Sequence, residues 1–240
     1  MMIPPNIKLG SNRPDWKNFK FMNQGFTMSS GKKFQGAVYV HGYFAKEATQ
    51  NMFYQKGYEV VDDIVLSDIV VLLGGDDINP AIYGEKPAGA IGFRDERDAD
   101  DIATIKAAGN RFKVGICRGA QLLNCVPNNG KLWQDVDRHE YGDHSVTDLV
   151  TGLGYIVNSI HHQQMIPGPQ GEIIAYTNLC GTKFGYKKDW HSDRDGDDRD
   201  VEAVFYPDTK SLCVQWHPEF KGADSEKYFF ELMDRYYHAA

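Results

Sequence analysis

The sequence of 240 residues has few cysteines, no long apolar run and no excess of basic residues, and each absence excludes a class of protein. Its four cysteines lack the spacing of a disulfide framework and fit a reducing compartment. No stretch reaches the roughly 18 consecutive apolar residues of a membrane span. The net charge of −7 argues against nucleic acid or an anionic membrane as the main partner. Because the first residues lack the pattern of a secretory signal, we expect a cytoplasmic protein.

Strand and helix patterns alternate from residue 36 onward. In the first half, strands are predicted at 37–40, 58–61, 68–73 and 113–116, and helices at 45–56 and 94–108, the latter with Asp95 as its N-cap. In the second half, strands are predicted at 155–158, 172–177, 201–206 and 211–216, and a final helix at 225–237.

This order predicts an α/β fold with a mostly parallel central sheet, helices on both faces and an additional antiparallel strand section in the C-terminal half. Residues 1–35 contain prolines and scattered aromatics without periodicity, so we interpret them as an N-terminal extension. Residues 36–240 are then predicted to form a single domain.

A cysteine between two glycines, in Gly115-Ile116-Cys117-Arg118-Gly119, follows a predicted strand and precedes a helical pattern. Glycines two residues either side of a side chain allow a strand to turn sharply into a helix without steric crowding. The turn would hold the thiol at a helix N-terminus, where the unpaired N–H groups favour the thiolate. The motif is short, and by itself it also fits a buried structural cysteine.

The segment Val214-Gln215-Trp216-His217-Pro218-Glu219 offers a base for that thiol. In an extended backbone, residues two apart point the same way, so His217 and Glu219 can share a face. A carboxylate beside an imidazole orients the ring and stabilises the imidazolium. Cys117, His217 and Glu219 are therefore predicted as nucleophile, base and orienting group.

Five blocks in order resemble the class I glutamine amidotransferases, and within them the free-standing gamma-glutamyl hydrolase type that cleaves gamma-glutamyl amides such as gamma-glutamyl-gamma-aminobutyrate. The blocks are 74–80 with 83–85, 94–95, 115–124, 158–163 and 215–219. The resemblance extends over about residues 36–237 and implies a flavodoxin-like fold without a cofactor. It also implies that Cys117 forms a glutamyl thioester.

The same resemblance suggests further roles. The backbone N–H groups of Gly75 and Arg118 would form the oxyanion hole, although Gly74-Gly75 alone would be read as a turn at the end of a strand. Gln121 would bind the glutamyl end of the substrate, with a partly buried polar helix residue as the alternative. The loop with His161 and His162 would contribute substrate contacts, largely through its backbone.

We expect no metal site. Adjacent histidines such as His161 and His162 point apart on an extended chain, and no cysteine or carboxylate stands at zinc-like spacing. The acidic stretch 189–200 lacks the glycine and glutamate positions of a calcium loop, so a solvated loop is favoured. Cys125, Cys180 and Cys213 lie in or beside apolar stretches and are predicted to be packing residues.

Three functions fit this sequence. The first is cysteine-dependent hydrolysis of glutamine or a gamma-glutamyl amine. The second is a glutaminase subunit that supplies ammonia to a separate ligase or synthase, because the chain has no ATP-binding glycine loop of its own. The third, disfavoured by the intact Cys117, His217 and Glu219, is a catalytically inactive binding module.

Overall fold

A nine-stranded mixed sheet forms the centre of the part of the chain that the structure describes. The computed structural model describes residues 34–177, 183–184, 199–220 and 222–238. Its strands are β1 (Ala37–His41), β2 (Glu59–Val61), β3 (Ile69–Leu72), β4 (Phe112–Ile116), β5 (Lys131–Trp133), β6 (Asp135–Val136), β7 (Asp143–Asp148), β8 (Gly154–Asn158), β9 (Gln164–Ile166), β10 (Glu172–Thr177), β11 (Lys183–Phe184), β12 (Asp200–Tyr206) and β13 (Ser211–Val214). Its α-helices are α1 (Lys46–Gln55), α2 (Asp95–Ala108), α3 (Arg118–Cys125) and α4 (Ser225–Tyr236).

The strand order in the sheet is β2-β1-β3-β4-β13-β12-β10-β7-β8. The strands from β2 to β13 pair in parallel, and the pairings from β13 through β12, β10 and β7 to β8 are antiparallel. The pairs β5 with β9 and β6 with β11 form separate two-stranded sheets. The predicted fold class, a parallel sheet extended by an antiparallel section, is confirmed.

Helices cover both faces of the sheet. On one face, α1 and α4 pack Phe53 and Phe229 against sheet residues such as Val38 and Val114. On the other face, α2 and α3 contribute Ile105 and Leu123 to a second apolar cluster. Parallel strands buried on both sides carry near-continuous apolar side chains, as Ile69–Leu72 does. Within the described residues, no helix combines the length and apolar character needed to cross a bilayer.

Two features of the predicted elements are corrected. Asp95 is not the N-cap of α2, because Arg94 occupies that position and Asp95 is the first helical residue. The Asp95 side chain instead accepts a hydrogen bond from Asn79 Nδ2 at 2.7 Å. The strands β5, β6, β7, β9 and β11 were not predicted, because they are short or, as in β7, rich in polar residues.

Several predictions fall on residues outside the described ranges. They concern the extension up to residue 33, the packing role of Cys180 and most of the acidic stretch 189–200. The division into an extension at 1–35 and one domain at 36–240 therefore stays a prediction.

Candidate active site

Cys117 lies at a sharp turn between β4 and α3. Its backbone adopts φ 51° and ψ −111°, a conformation that side-chain-bearing residues rarely occupy and that recurs at functional sites. A Cβ on Gly115 would lie 2.4 Å from the Ala120 nitrogen, and one on Gly119 would lie 2.1 Å from the Leu72 carbonyl oxygen. Both glycines of the motif are therefore required by close backbone contacts at this turn.

His217 lies between Cys117 and Glu219. Its Nδ1 is 2.7 Å from Glu219 Oε1, and its ring shares a hydrogen bond with the Cys117 thiol group. Burial alone would lower the pKa of His217, but the charge and hydrogen bond of Cys117, with those of Glu219, raise it to about 10. The structure thus brings the three predicted triad residues together, with an imidazole that holds its proton at neutral pH.

Neighbouring residues hold the His217 ring in place. Asn158 Nδ2 donates to the His217 carbonyl at 2.8 Å, and Asn158 Oδ1 accepts from the His217 backbone N–H at 2.8 Å. The rings of Phe44 and Phe220 contact the imidazole at centroid distances of 5.5 and 5.2 Å. Sequence analysis assigned no role to Asn158, although it begins the 158–163 block and ends a predicted strand.

The proposed oxyanion-hole residues lie close to the nucleophile. Gly75 has φ +140° and lines the same cavity as Cys117 and His217. The Arg97 guanidinium occupies the place of a Gly75 side chain, since a Cβ there would lie 2.1 Å from Arg97 Nη1. Arg118 begins α3, so its backbone N–H has no acceptor within the helix. Their role as donors to an oxyanion stays a prediction.

A buried ionic network lies beneath the nucleophile and links three segments of the chain. The Arg118 side chain, 1% exposed, pairs with Asp98 and Asp101 of α2. Asp98 Oδ2 also accepts from the Asn79 N–H at 3.0 Å, and Arg97 Nη2 donates to the Gly74 carbonyl at 2.7 Å. The network therefore fixes the 74–79 loop relative to α3.

Sequence analysis missed this network. The sequence feature that could have indicated the network is the pair of carboxylates at Asp98 and Asp101. These two residues lie on the inward face of α2 together with the predicted core residue Ile105. Acidic side chains on an otherwise inward helical face indicate a buried cation nearby.

A cavity of about 420 Å³ opens above Cys117. Its lining includes the carboxylates of Asp76 and Asp77, the imidazole of His162, and the apolar side chains of Phe44, Ile91 and Ile160. His162 Nε2 lies 2.9 Å from Asp77 Oδ1. The hydrogen bond to Asp77 raises the pKa of His162 to about 9, against the effect of burial. The cavity thus presents groups of both charges beside the thiol.

Gln121 and His161 do not line this cavity. Gln121 Nε2 donates to the Gln163 carbonyl at 3.2 Å, and the His161 ring is buried beneath the loop. Burial lowers the pKa of His161 to about 3, so its ring is neutral. Among the three predicted substrate contacts, the structure places His162 in the cavity, while direct contacts from Gln121 and His161 stay predictions.

Two other cysteines have a different environment. Cys125 and Cys213 belong to the apolar cluster on the α2 and α3 face, as predicted for packing residues. Burial raises the pKa of the Cys125 thiol to about 12, and it also raises the pKa of Cys213. Neither thiol is therefore suited to act as a nucleophile at neutral pH.

Solved structures share this fold at low sequence identity. A glutamine amidotransferase from Thermotoga maritima has a TM-score of 0.51 and 14% identity, and the match covers 83% of this chain and 82% of that one. PurLQS from Thermotoga maritima has a TM-score of 0.54 and 17% identity, with 83% and 97% of the chains covered.

Sequence comparisons identify the family of the chain. The "Putative glutamine amidotransferase-like protein YvdE" of Lactococcus lactis subsp. lactis is 34% identical over 195 residues, which cover 71% of this chain and 74% of that protein. The family model described as Peptidase C26 matches residues 52–219. Because these matches extend over most of the chain, it belongs to the peptidase C26 family of class I glutamine amidotransferase-like proteins.

Proposed function

We propose that this protein hydrolyses a gamma-glutamyl amide through a glutamyl thioester on Cys117. The observation that carries the proposal is the His217 imidazole held between Cys117 and the Glu219 carboxylate at the floor of a charged cavity. A thiol with a bonded, protonated imidazole is an activated nucleophile, and acyl transfer is the reaction that such a pair performs.

The first half of the reaction uses the thiolate and imidazolium together. Cys117 Sγ attacks the side-chain carbonyl carbon of the glutamyl group, and the carbonyl oxygen becomes an oxyanion directed at the N–H groups of Gly75 and Arg118. His217 then donates its proton to the amide nitrogen, the carbon–nitrogen bond breaks, and the amine leaves. Glu219 keeps the ring oriented and stabilises its charged form.

The second half releases the acid. His217, now neutral, removes a proton from a water molecule that attacks the thioester carbonyl carbon. The carbon–sulfur bond then breaks, which regenerates the Cys117 thiolate and the His217 imidazolium and releases the glutamyl carboxylic acid, whose proton passes to the released amine or to water. Cys117 and His217 thereby return to their starting states after each turnover.

The groups that line the cavity are suited to bind a substrate that carries an α-ammonium and an α-carboxylate group. An α-ammonium group would find the carboxylates of Asp76 and Asp77, and an α-carboxylate would find the His162 cation. The apolar side chains of Phe44, Ile91 and Ile160 would then contact the departing amine, which favours an amine with apolar carbon over ammonia.

The test is to incubate the full chain with glutamine and a panel of gamma-glutamyl amines and to measure glutamate and amine release. Cys117→Ala should abolish turnover, and the matched variant Cys125→Ala should retain it, because Cys125 is a packing residue. A glutamine-mimicking electrophile should label Cys117, and mass spectrometry of the peptides would locate the label. Turnover of every substrate equal to that of Cys117→Ala would refute the proposal of a free-standing hydrolase.

A second candidate is a glutaminase subunit that delivers ammonia to a separate ligase or synthase. It is favoured by apolar side chains exposed around the cavity mouth, since Ile91 is 69% and Ile160 44% exposed. The glutamine-mimicking electrophile would label such a subunit at Cys117. The subunit would nevertheless hydrolyse almost no glutamine until its partner is added. An inactive binding module would show neither labelling nor turnover.

A further inference from the structure

Four ionisable side chains converge in a buried cluster that the proposed reaction does not use. His139 Nδ1, His144 Nε2 and His161 Nε2 lie 3.5, 3.3 and 3.7 Å from the same atom, Glu202 Oε1. Each of the four side chains is at least nine-tenths buried. Among the described residues, none of the three nitrogens and neither Glu202 oxygen has a hydrogen-bond partner. Unsatisfied polar atoms at this depth are costly unless something else binds them.

A hydrogen bond on the outer side of the His139 ring indicates which of its nitrogens can bind a cation. His139 Nε2 lies 2.9 Å from Asp200 Oδ2, and a carboxylate accepts its proton. In its neutral form this ring presents the lone pair of Nδ1 to Glu202. His161 Nδ1 lies between an acceptor, the Gln163 carbonyl oxygen at 3.0 Å, and a donor, the Gln215 amide nitrogen at 3.1 Å, so its Nε2 can face Glu202 in either tautomer. A cation beside Glu202 would satisfy both the carboxylate and the His139 lone pair.

The distances fit one metal ion. Zinc bonds of about 2.0–2.2 Å to nitrogen and oxygen in a tetrahedron separate neighbouring ligand atoms by about 3.4 Å. The His139 and His144 nitrogens lie 3.5 and 3.3 Å from Glu202 Oε1, and the ligand atoms of these three residues all lie within 4.8 Å of one another. His161 Nε2, 3.7 Å from Glu202 Oε1, lies outside that group and would complete the tetrahedron after a movement of its ring. The Asp200 oxygen also has the role that outer oxygens have in zinc sites, where they accept from the free N–H of a ligating histidine. We propose that His139, His144 and Glu202, with His161 as the fourth ligand, bind a structural zinc ion.

The positions of these ligands suggest what the zinc would do. His144 lies on β7 and Glu202 on β12, whereas His139 and His161 lie in connecting segments. A closed site with four protein ligands leaves no position for substrate, which is typical of structural zinc. Because His161 directly precedes the cavity residue His162, the ion would hold that wall of the active-site cavity in place.

This proposal departs from our expectation from the sequence that no metal is bound. That expectation considered ligands at short, regular spacing, and the four ligands here are spread over residues 139 to 202. The cluster of His41, Asp100 and Asp101 is a weaker candidate, because Arg118 and Arg97 already neutralise Asp101. The cluster of Asp135, Glu140 and His162 is partly exposed.

The test measures metal in the full chain with Cys117→Ala, so that zinc held by the catalytic thiol is not counted. Protein purified from zinc-supplemented medium should contain about one zinc per chain by elemental mass spectrometry. After removal of the metal by a chelator, the thermal midpoint should fall, and zinc should restore it. Titration with Co²⁺ should give the intense visible absorption of a tetrahedral site.

Variants then locate the ion. His144→Ala and Glu202→Gln should weaken zinc binding by tenfold or more, whereas the exposed control His238→Ala should bind zinc normally. The proposal is overturned if the parent protein binds neither zinc nor cobalt, or if both ligand variants retain full binding. If the variants do not fold, the chelator and cobalt measurements on the parent decide alone. None of these readouts depends on turnover, so failure here is distinct from failure of the proposed hydrolase.

Discussion

At the scale of single residues, the charge on His217 depends on two neighbours, Cys117 and Glu219. Burial works against the imidazolium, while Cys117 and Glu219 raise its pKa from 6.5 to about 10. A raised histidine pKa stabilises the folded state fully below pH 6.5, and that contribution is lost as the pH rises through about 10. The protonated ring is also the acid that the leaving amine needs. Activity should therefore fall as the pH rises through about 10.

The first prediction concerns this dependence. In Cys117→Ala, the pKa of His217 should fall well below 10, because the largest cause that raises it is gone and burial still lowers it. NMR titration of the His217 ring carbons in both proteins measures the difference. An unchanged midpoint in the variant would contradict the assignment of the ion pair.

The second prediction concerns Asn158, which makes two hydrogen bonds to the His217 backbone. Asn158→Ala should lower the free energy of unfolding by about 1–3 kcal/mol and reduce kcat more than it raises KM, because the base is misplaced but the cavity persists. The control Asn158→Asp keeps the acceptor and should retain more activity. Equal kcat in wild type and Asn158→Ala would show that His217 is held by other contacts.

The sequence predicted those site residues that lie close together in short motifs. Cys117 between its glycines, and His217 two residues from Glu219, were placed by spacing alone. Asn158 and Glu202 could not be assigned a role in this way, because their partners lie 59 residues away in one case and at least 41 in the other. Only the pairing of strands brings such residues together.

At the scale of elements, ion pairs with α2 hold the turn after β4 in place. Arg118 at the start of α3 reaches Asp98 and Asp101, one helical turn apart on α2. Burial raises the pKa of Asp98, whereas hydrogen bonds from His41 and Arg118 lower that of Asp101 despite its burial. Removal of Arg118 would leave the buried Asp98 without the cation that it pairs with here, whereas Asp101 would keep His41 and Arg97.

The third prediction follows from this arrangement. Arg118→Met should lower the free energy of unfolding by about 3–5 kcal/mol, since two buried carboxylates each lose a cationic partner. The control Lys227→Met removes one member of an exposed pair on α4 and should cost less than about 0.5 kcal/mol. Urea unfolding, which does not screen charge, compares the two. Similar losses in both variants would show that the buried network contributes little.

Most elements recovered from the sequence are either strongly apolar, such as β3, or long with a regular apolar face, such as α4. Those missed were two or three residues long, or polar on their buried face, as in β7 with His144 and Asp148. Periodicity detects apolar side chains and cannot detect a strand whose buried residues are held by ion pairs, since Asp148 binds Arg235 and Tyr228.

At the scale of the whole molecule, one sheet joins the parallel and antiparallel sections. The hairpin of β12 and β13 connects them, because β13 pairs in parallel with β4 on one side and β12 pairs with β10 on the other. Both apolar clusters pack against this single sheet. Disruption of either cluster should therefore destabilise the whole sheet.

The last prediction is therefore that the described domain unfolds as one unit. Phe229→Ala on the α1 and α4 face should cost about 3–5 kcal/mol, and Leu123→Ala on the opposite face about 2–5 kcal/mol, because both side chains are fully buried. Each variant should move one urea transition to lower concentration without changing its slope, and circular dichroism and tryptophan fluorescence should give the same midpoint. If one variant instead splits the transition, the two faces unfold separately. The continuous hydrogen bonding from β2 to β8 argues for the single transition. If the helices on one face unfold, they expose the same strands against which the helices of the other face pack.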